Sequence, residues 1–495
     1  MKPSLLSRGA PRDDGPAPDE FALERDLHLE PLFRAMSGQD KFLSEACKRV
    51  LLRTETDLEA IRYRQQVLKD ALRHPEIVDR LYALASEVSS KSAEYRAKMK
   101  PNFARTIPVR ERLRVAVELL PALLDSLEEL RDAGARHAES LSSEGFLDFF
   151  ERLQNNYPDA FFREARDHLA RLRQVERRGG VKIGASVGDG FHGTDVVLRS
   201  LDARPTAALR DRLLKGYGLF KAEHSLRDME ESALGNVLHI LKRFIDDALG
   251  DFDSLRYESG FYVGCVQLHR ELTVRGCPVS FPTAYSADER VLVFHDLYDP
   301  GLALRLPHRP IGNDLTGESA CLFIVTGANQ GGKSTFLRSI GLAQLMMQCG
   351  MFVPASRFEA NVCDRIVTYF AGSESQSAGG TLEEELRGLN RLVERSTPHS
   401  LLLMNEPFAA IAERDGATVG RHWLAACCEL QLKVVLVSHN FELANWAFEE
   451  LTPQALFLSP VRNDDGRRTY RMTRCQPVRS SFGEDLFRSL IENAN

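Results

Sequence analysis

The sequence has few of the features that mark secreted, zinc-binding or membrane proteins. None of its 9 cysteines belongs to a C-x-x-C pair, and no histidines cluster at ligand spacing. Neither a disulfide framework nor a zinc site is therefore indicated. No apolar run approaches the length of a membrane span, and charged residues and prolines stand where a signal peptide needs its apolar core. We expect a cytoplasmic protein that does not contact a membrane.

Positive charge is also not in excess. The chain has 64 Lys and Arg against 70 Asp and Glu, a net charge of −6. A net negative charge does not favour nucleic-acid binding over the whole protein surface. Any such binding therefore has to depend on a local basic patch. The length of 495 residues suffices for two to four domains with sizeable cores.

The most informative stretch begins at Leu322. The apolar run 322–325 leads into a glycine-rich turn and then into apolar residues at helical spacing, which predicts a buried strand, a loop and a helix. The pattern G-x-x-x-x-G-K-S ends in Lys333 and Ser334 and is that of a P-loop. In such a loop, backbone N–H groups converge on phosphate oxygens, the lysine reaches the β and γ phosphates, and the hydroxyl ligates Mg²⁺. The sequence therefore predicts a site for ATP and Mg²⁺, with these contact residues: Gly327, Ala328, Asn329, Gln330, Gly331, Gly332, Lys333, Ser334 and Thr335.

Two later strands end in residues suited to hydrolysis. The apolar run 401–404 ends in Asn405 and Glu406, where an ATPase places an acid beside the metal's water shell and then a glutamate that polarises water. Glu406 is the predicted general base, and Asn405 is predicted in the second shell of Mg²⁺, where its lack of charge is expected to slow turnover. A third apolar run, 434–437, precedes His439, which is predicted to meet the γ phosphate or orient the water. The predicted catalytic residues are thus Lys333, Glu406 and His439.

The rest of the chain divides by composition and periodicity. Residues 1–24 are rich in Pro, Gly and acid, which predicts a disordered tail. From 25 to 276, apolar residues recur three and four apart, which predicts long helices. Alternation around glycines within 180–201 predicts a small β-hairpin. Short strands after this region place the P-loop in a second, α/β domain that spans 277–495. The predicted fold is α + α/β.

A basic run precedes the predicted hairpin. Its arginines are Arg166, Arg171, Arg173, Arg177 and Arg178. Such a cluster favours contact with a phosphate backbone, and a solvated helix face explains it equally well.

A resemblance to a known family follows from these motifs. Residues 326–355 (TGANQGGKSTFLRSIGLAQLMMQCGMFVPA) resemble the MutS mismatch-repair ATPases, which are of the ABC type. The likeness continues at 364–366, 381–385, 405–406, 415–416, 438–443 and 481–483, and more faintly at 58–65 and 254–276. The resemblance implies a helical core and lever region with a reduced clamp hairpin, followed by an ABC-type ATPase. It also implies a homodimer through the ATPase regions, in which Thr381 meets the nucleotide of the opposite chain. The implied activity is ATP hydrolysis that controls DNA binding by helical arms, in mismatch repair or a related process.

The sequence departs from the family pattern in several places, and some of these departures favour an alternative function. The mismatch-reading N-terminal module, with its Phe-x-Glu wedge, has no counterpart in the sequence, so we expect a chain without it. Gly380 stands where the family has Ser in its signature segment, and residues 407–414 (PFAAIAER) replace a polar loop with apolar residues. Together with Asn405, they favour a nucleotide-sensing scaffold dimer with little turnover.

Overall fold

The computed structural model of the protein describes residues 2–8, 19–100, 107–137, 139–178, 182–187, 193–200, 219–317, 319–327, 330–370, 382–409, 411–452, 454–463 and 467–477. The chain forms two compact units. Unit one consists of Met1–Leu5 and His74–Gly260, and unit two of Leu6–Arg73 and Phe261–Asn495. No helix within the described ranges is long and apolar enough to cross a membrane.

Unit one is mainly helical. Its helices are α5 (Pro75–Lys91), α6 (Ala93–Met99), α7 (Val109–His137), α8 (Glu144–Asn156), α9 (Asp159–Arg178) and the part of α10 (Leu219–Val274) that precedes residue 261. Two strands, β1 (Lys182–Val187) and β2 (Gly193–Ser200), pair antiparallel in the segment for which a hairpin is predicted. Arg96 donates to both carboxylate oxygens of Asp253 at 2.9 and 2.8 Å. This pair links the surfaces of α6 and α10.

Unit two combines helices with two sheets. The helices are α1 (Glu20–Asp26), α2 (Glu30–Ser37), α3 (Lys41–Leu51), α4 (Leu58–Arg73), α11 (Pro300–Arg305), α12 (Lys333–Gln348), α13 (Leu382–Arg395), α14 (Glu413–Glu429) and α15 (Phe441–Glu450). A four-stranded sheet has the order β3-β7-β4-β5, with β3 (Thr283–Tyr285), β7 (Arg357–Asn361), β4 (Leu292–Leu297) and β5 (Asn313–Thr316). The mixture of helices and two sheets agrees with the predicted α + α/β class.

A six-stranded sheet forms the centre of unit two. Its order is β12-β11-β6-β10-β9-β8, with β12 (Arg468–Arg474), β11 (Ala455–Arg462), β6 (Leu322–Val325), β10 (Lys433–Val437), β9 (Leu401–Asn405) and β8 (Ile366–Phe370). All neighbours are parallel except β11 and β12. Every residue of β6 is 0% exposed. A strand that is apolar throughout is typical of a parallel sheet covered on both faces.

The described residues of the N-terminal segment, 2–8 and 19–24, differ from the disordered tail expected over residues 1–24. Helix α1 occupies the end of that segment, and Leu5 and Leu6 are 0% and 8% exposed. The buried carboxylate of Asp26 accepts a hydrogen bond from Thr368 of β8 at 2.7 Å. Leu23 and Leu27 lie four residues apart and are both buried, so a single turn of apolar spacing is enough to hold this helix on the sheet.

The compact units also divide the chain differently from the boundary expected near residue 277. Helices α2–α4 group with the sheets of unit two. The buried Gln348 of α12 donates to the carbonyl of Glu55 at 3.0 Å, and the buried Gln65 donates to that of Pro282 at 3.1 Å. Contacts between residues this distant in sequence leave no periodic signal in either segment.

We predict that Thr368→Val destabilises the protein. The substitution keeps the volume of the side chain but removes the donor to the buried Asp26. The expected loss is about 1–3 kcal/mol in the free energy of unfolding, measured by denaturant titration.

Thr418→Val on α14 is the matched control, because Thr418 is exposed and its hydroxyl donates only to the carbonyl of Arg414 in its own helix. Its free energy of unfolding is expected to change by less than about 0.5 kcal/mol. Equal stability of the two variants would contradict the packing of α1 on β8.

Candidate functional site at the carboxyl edge of the parallel sheet

Three neighbouring strands of the central sheet end at the same level. Val437 at the end of β10 is paired with Val325 of β6 on one side and with Asn405 of β9 on the other. The residues that follow each strand are therefore neighbours across the sheet edge, although they lie far apart in sequence. In open α/β sheets, ligands bind in the crevice at this carboxyl edge.

The loop after β6 leads into α12 through two glycines with positive φ. Gly327 has φ +114°, and a Cβ there would lie 2.7 Å from the hydroxyl of Ser459 in β11. Gly332, at φ +90°, immediately precedes the first residue of α12. Since L-residues rarely adopt these angles, glycine at both positions is required for the path of the loop. The result is a helix N-terminus at the sheet edge, and helix N-termini of this kind favour anions.

Lys333 is held inside this loop. It is the first residue of α12, is 5% exposed, and its amine donates to the carbonyl of Gly327 at 2.9 Å. The amine also lies 3.2 Å from Nε2 of His439. Burial lowers the pKa of the Lys333 amine, and the negative charge of Glu406 acts in the opposite direction. A cation is thus placed at the edge of the sheet, between the carbonyl of Gly327 and the ring of His439.

Glu406 and His439 face each other across the ends of β9 and β10. The carboxylate of Glu406 accepts the backbone N–H of His439 at 3.0 Å, and its other oxygen is 3.1 Å from Nε2 of the same histidine. Glu406 adopts φ +54° and donates its own backbone N–H to Val437 at 2.9 Å. A non-glycine residue at positive φ costs about 1–3 kcal/mol and is concentrated at functional sites.

Burial sets the protonation of this pair. It raises the pKa of the Glu406 carboxyl, against the opposing effects of Lys333 and of the N–H of His439. It lowers the pKa of His439, and the charge of Lys333 lowers it further. The imidazole is therefore neutral near neutral pH, and its Nε2 either accepts from Lys333 or donates to Glu406. A carboxylate with a raised pKa beside a neutral imidazole is a pair suited to accepting a proton from water.

Ser334 and Asn405 form the third contact of the site. The hydroxyl of Ser334 donates to Oδ1 of Asn405 at 2.8 Å. Two neutral oxygen atoms are thereby placed side by side below the loop, and Mg²⁺ prefers oxygen ligands of this kind. Thr335 instead contacts Arg338 of its own helix, with Oγ1 3.4 Å from Nη2.

The structure brings together most of the residues predicted from sequence. Lys333, Glu406 and His439 are mutual neighbours, and the pair Ser334 and Asn405 lies at the same edge. Gln330 and Gly331 are described, and each lies in the loop before α12. Ala328, Asn329, Gly380 and Thr381 lie outside the described residues, as does the segment 481–483.

The apolar segment 407–414 has a structural explanation. Phe408 is 4% exposed and belongs to the core cluster of the central sheet, where Ile411 packs against it. A Cβ added at Gly416 or Gly420 of α14 would lie within 3.1 or 3.2 Å of the Phe408 side chain. The apolar residues after Glu406 thus hold the start of α14 beneath the site.

Two residues near the site carry no signal in the sequence. Arg468 of β12 donates to the side-chain oxygen of Gln330 at 2.9 Å. Tyr470, at φ +58°, lies next to Gly332, where an added Cβ would be 3.3 Å from its ring. Their place beside the loop depends on the pairing of β12 with β11, which no local motif predicts.

Comparison with known proteins agrees with this architecture. Residues 56–275 match the MutS2 N-terminal domain, and residues 323–483 match MutS domain V. The two matches cover the long helices and the region of Lys333, Glu406 and His439, in the order expected from the sequence. The chain belongs to the MutS family.

Curated members of the MutS family show the same relationship. The DNA mismatch repair protein MutS of Chloroflexus aurantiacus is 30% identical over 330 residues, which is 61% of this chain and 32% of that protein. MutS of Trichormus variabilis is 31% identical over 174 residues, or 32% of this chain and 20% of that protein. The chain matches a third or less of the length of these relatives.

We predict that Glu406→Gln stabilises the protein more as the pH rises. Because the pKa of Glu406 is raised on folding, the folded state binds its proton more tightly, and stability from this group is lost as pH rises above the unfolded pKa. Glutamine has no charge to bury, so its gain is expected to be larger at about pH 7.5 than at about pH 5. Denaturant titration at each pH measures the difference.

Glu450→Gln is the control, because Glu450 is an exposed carboxylate at the end of α15. A pH-dependent gain of the same size in both variants would show that the Glu406 environment is not its cause.

Proposed function

We propose that the protein binds and hydrolyses ATP and that its nucleotide state controls DNA binding. The observation that carries this proposal is the convergence of Lys333, Glu406 and His439 at the carboxyl edge of the sheet. The match of this region to MutS domain V supports it. We infer an ABC-type P-loop fold for unit two on the same grounds.

Each residue of the site has a proposed task. The backbone N–H groups of 327–335, including those of Ala328 and Asn329, hold the triphosphate, and Lys333 balances its β and γ charges. Ser334 supplies a hydroxyl ligand to Mg²⁺, whose bound water Asn405 orients. Mg²⁺ neutralises charge on the phosphates when it is bound. Thr381 is the hydroxyl offered to the nucleotide of a second chain in a head-to-tail homodimer.

Hydrolysis in this proposal depends on the pair Glu406 and His439. Glu406 accepts the proton of the attacking water, which its raised pKa favours over an ordinary carboxylate. Neutral His439 donates from Nε2 and keeps the water and the carboxylate in line. The apolar packing of Phe408 against α14 keeps Glu406 at this place.

The helices of unit one are the proposed DNA-binding arms. Arg171 and Arg173 of α9 are exposed, as phosphate contacts require. Arg166 instead pairs with Asp125 and Glu128 of α7 at 3.1 and 2.5 Å, so its charge already has local partners. The side chains of Arg177 and Arg178 lie outside the described residues. The named relatives are DNA mismatch repair proteins, and we propose a role in that process or in a related one.

A scaffold function is the second candidate. It is favoured by the neutral Asn405 at the position beside Ser334, because one negative partner of the metal's water shell is lost there. A protein of this kind binds ATP and dimerises with little turnover. Measurements of binding and of phosphate release on the same preparation distinguish the two functions.

We predict that Glu406→Gln binds ATP within a few-fold of the wild type but loses multiple-turnover phosphate release by about a hundredfold or more. Lys333→Ala is expected to weaken ATP binding by about 10- to 100-fold, because a charged contact to phosphate is lost. Fluorescent ATP titration and a phosphate-release assay measure the two quantities, with Lys41→Ala on the exposed surface of α3 as control.

Wild-type protein that binds ATP without releasing phosphate would support the scaffold. Wild-type turnover that Glu406→Gln leaves unchanged would rule out the assigned base. Retained ATP affinity in Lys333→Ala would rule out the assigned loop.

We also predict that the double variant Arg171→Glu, Arg173→Glu weakens DNA binding and lowers the slope of log affinity against log salt by about 2, as the loss of two phosphate contacts requires. The assay uses mismatched, branched and plain duplexes with and without ATP. Arg34→Glu, Arg62→Glu, which reverses two exposed arginines of unit two, is the control. An unchanged salt slope in the α9 variant would place the DNA contact elsewhere.

A further inference from the structure

Two cysteines from different elements of unit two lie side by side. Cys321 immediately precedes β6, and Cys428 is in the last turn of α14. Their Sγ atoms are 3.6 Å apart. A disulfide needs about 2.05 Å, so the sulfur atoms have to approach by roughly a further 1.5 Å.

The backbone holds both cysteines in place. The N–H of Cys321 donates to Gln454 at 3.0 Å, and its carbonyl accepts from Val434 at 2.7 Å. The carbonyl of Cys428 accepts from Gln431 at 3.1 Å. The backbone positions of both cysteines are therefore fixed. The two sulfur atoms can come closer only by rotation of their side chains and by small shifts of the end of α14.

A small polar cavity opens beside Cys321. Its volume is about 160 Å³, room for several water-sized molecules. The side chains that line it with Cys321 include Arg290, Asn361, His399 and Lys433. A small oxidant such as hydrogen peroxide fits this space, which Cys321 helps to line.

The surroundings of Cys321 also favour its thiolate. A hydrogen bond with Cys428 lowers the pKa of Cys321 to about 7, burial opposes this, and the charge of Arg290 lowers it further. By contrast, burial raises the pKa of Cys363 to about 11 and those of Cys47 and Cys427 to about 12. Because the thiolate is the reactive form, Cys321 differs from these cysteines in reactivity as well as in position.

We propose that Cys321 and Cys428 are a peroxide-sensitive pair that forms a reversible disulfide. The Cys321 thiolate attacks one oxygen of hydrogen peroxide, the O–O bond breaks, and a sulfenic acid forms while the other oxygen leaves as hydroxide and takes up a proton to become water. The Cys428 sulfur then attacks the Cys321 sulfur, the S–O bond breaks, and hydroxide leaves with the proton of Cys428 as a second water. Two thiols are oxidised and the peroxide is reduced. A dithiol reductant reverses the reaction.

The proposed disulfide joins Cys321, which immediately precedes β6, to Cys428 in the last turn of α14. It closes a long loop of chain, and such a cross-link stabilises the folded state mainly by restricting the unfolded one. Intracellular disulfides of this kind are usually transient and redox-sensing. The pair is independent of the proposed nucleotide chemistry, because it lies at the amino ends of the strands.

The test treats the full-length protein with hydrogen peroxide at low molar excess and blocks the remaining thiols by alkylation. Peptide mapping without reduction is expected to recover one major cross-linked peptide pair, which contains Cys321 and Cys428 and separates with dithiothreitol. The thermal unfolding midpoint is expected to be higher in the oxidised than in the reduced protein.

Cys428→Ser is expected to lose both the cross-link and the increase in midpoint, whereas Cys427→Ser, which changes the adjacent buried cysteine, retains them. If either variant fails to fold, peptide mapping of the wild-type protein alone still tests the proposal. Pairing of Cys321 with another cysteine, or oxidation that yields only sulfinic acid without a cross-link, would overturn the proposal.

Discussion

The structure depends on the register of three parallel strands. Since β6, β10 and β9 are paired so that Val325, Val437 and Asn405 stand side by side, the residues after them meet at one edge. A shift of one residue in this pairing would exchange the faces of the strand and carry Glu406 away from Lys333 and His439. Because β6 is packed on both faces, such a shift would also force side chains of different shape into closely packed positions.

The electrostatics of the candidate site follow from the same burial. A buried cation, a partly buried carboxyl group and a more exposed imidazole lie together, with His439 within hydrogen-bond distance of both Lys333 and Glu406. Burial disfavours the charged form of each group, while Lys333 and Glu406 partly compensate for each other. Groups with shifted pKa values at the edge of a sheet are characteristic of functional sites, where stability is given up for reactivity.

The opposite edge of the same sheet has a different character. At the amino ends of the strands, Lys433 is buried, donates to the carbonyl of Val291 at 2.9 Å, and has a pKa lowered by burial to about 8. Cys321 begins the neighbouring strand there, and Cys428 approaches it from α14. One layer of parallel strands thus places the proposed phosphate-binding loop at one end and the proposed thiol pair at the other.

The sequence by itself determined the loop at 327–334, the apolar strands and the polar residues that end them, because each is a local pattern with a local physical cause. The long helices and the antiparallel pair β1 and β2 also follow from periodicity. Only the tertiary structure decided that α1 packs on β8, that Arg468 and Tyr470 lie beside the loop, and that Cys321 meets Cys428. These contacts join residues distant in the chain, and their geometry is set by strand register and side-chain packing, which no local pattern encodes.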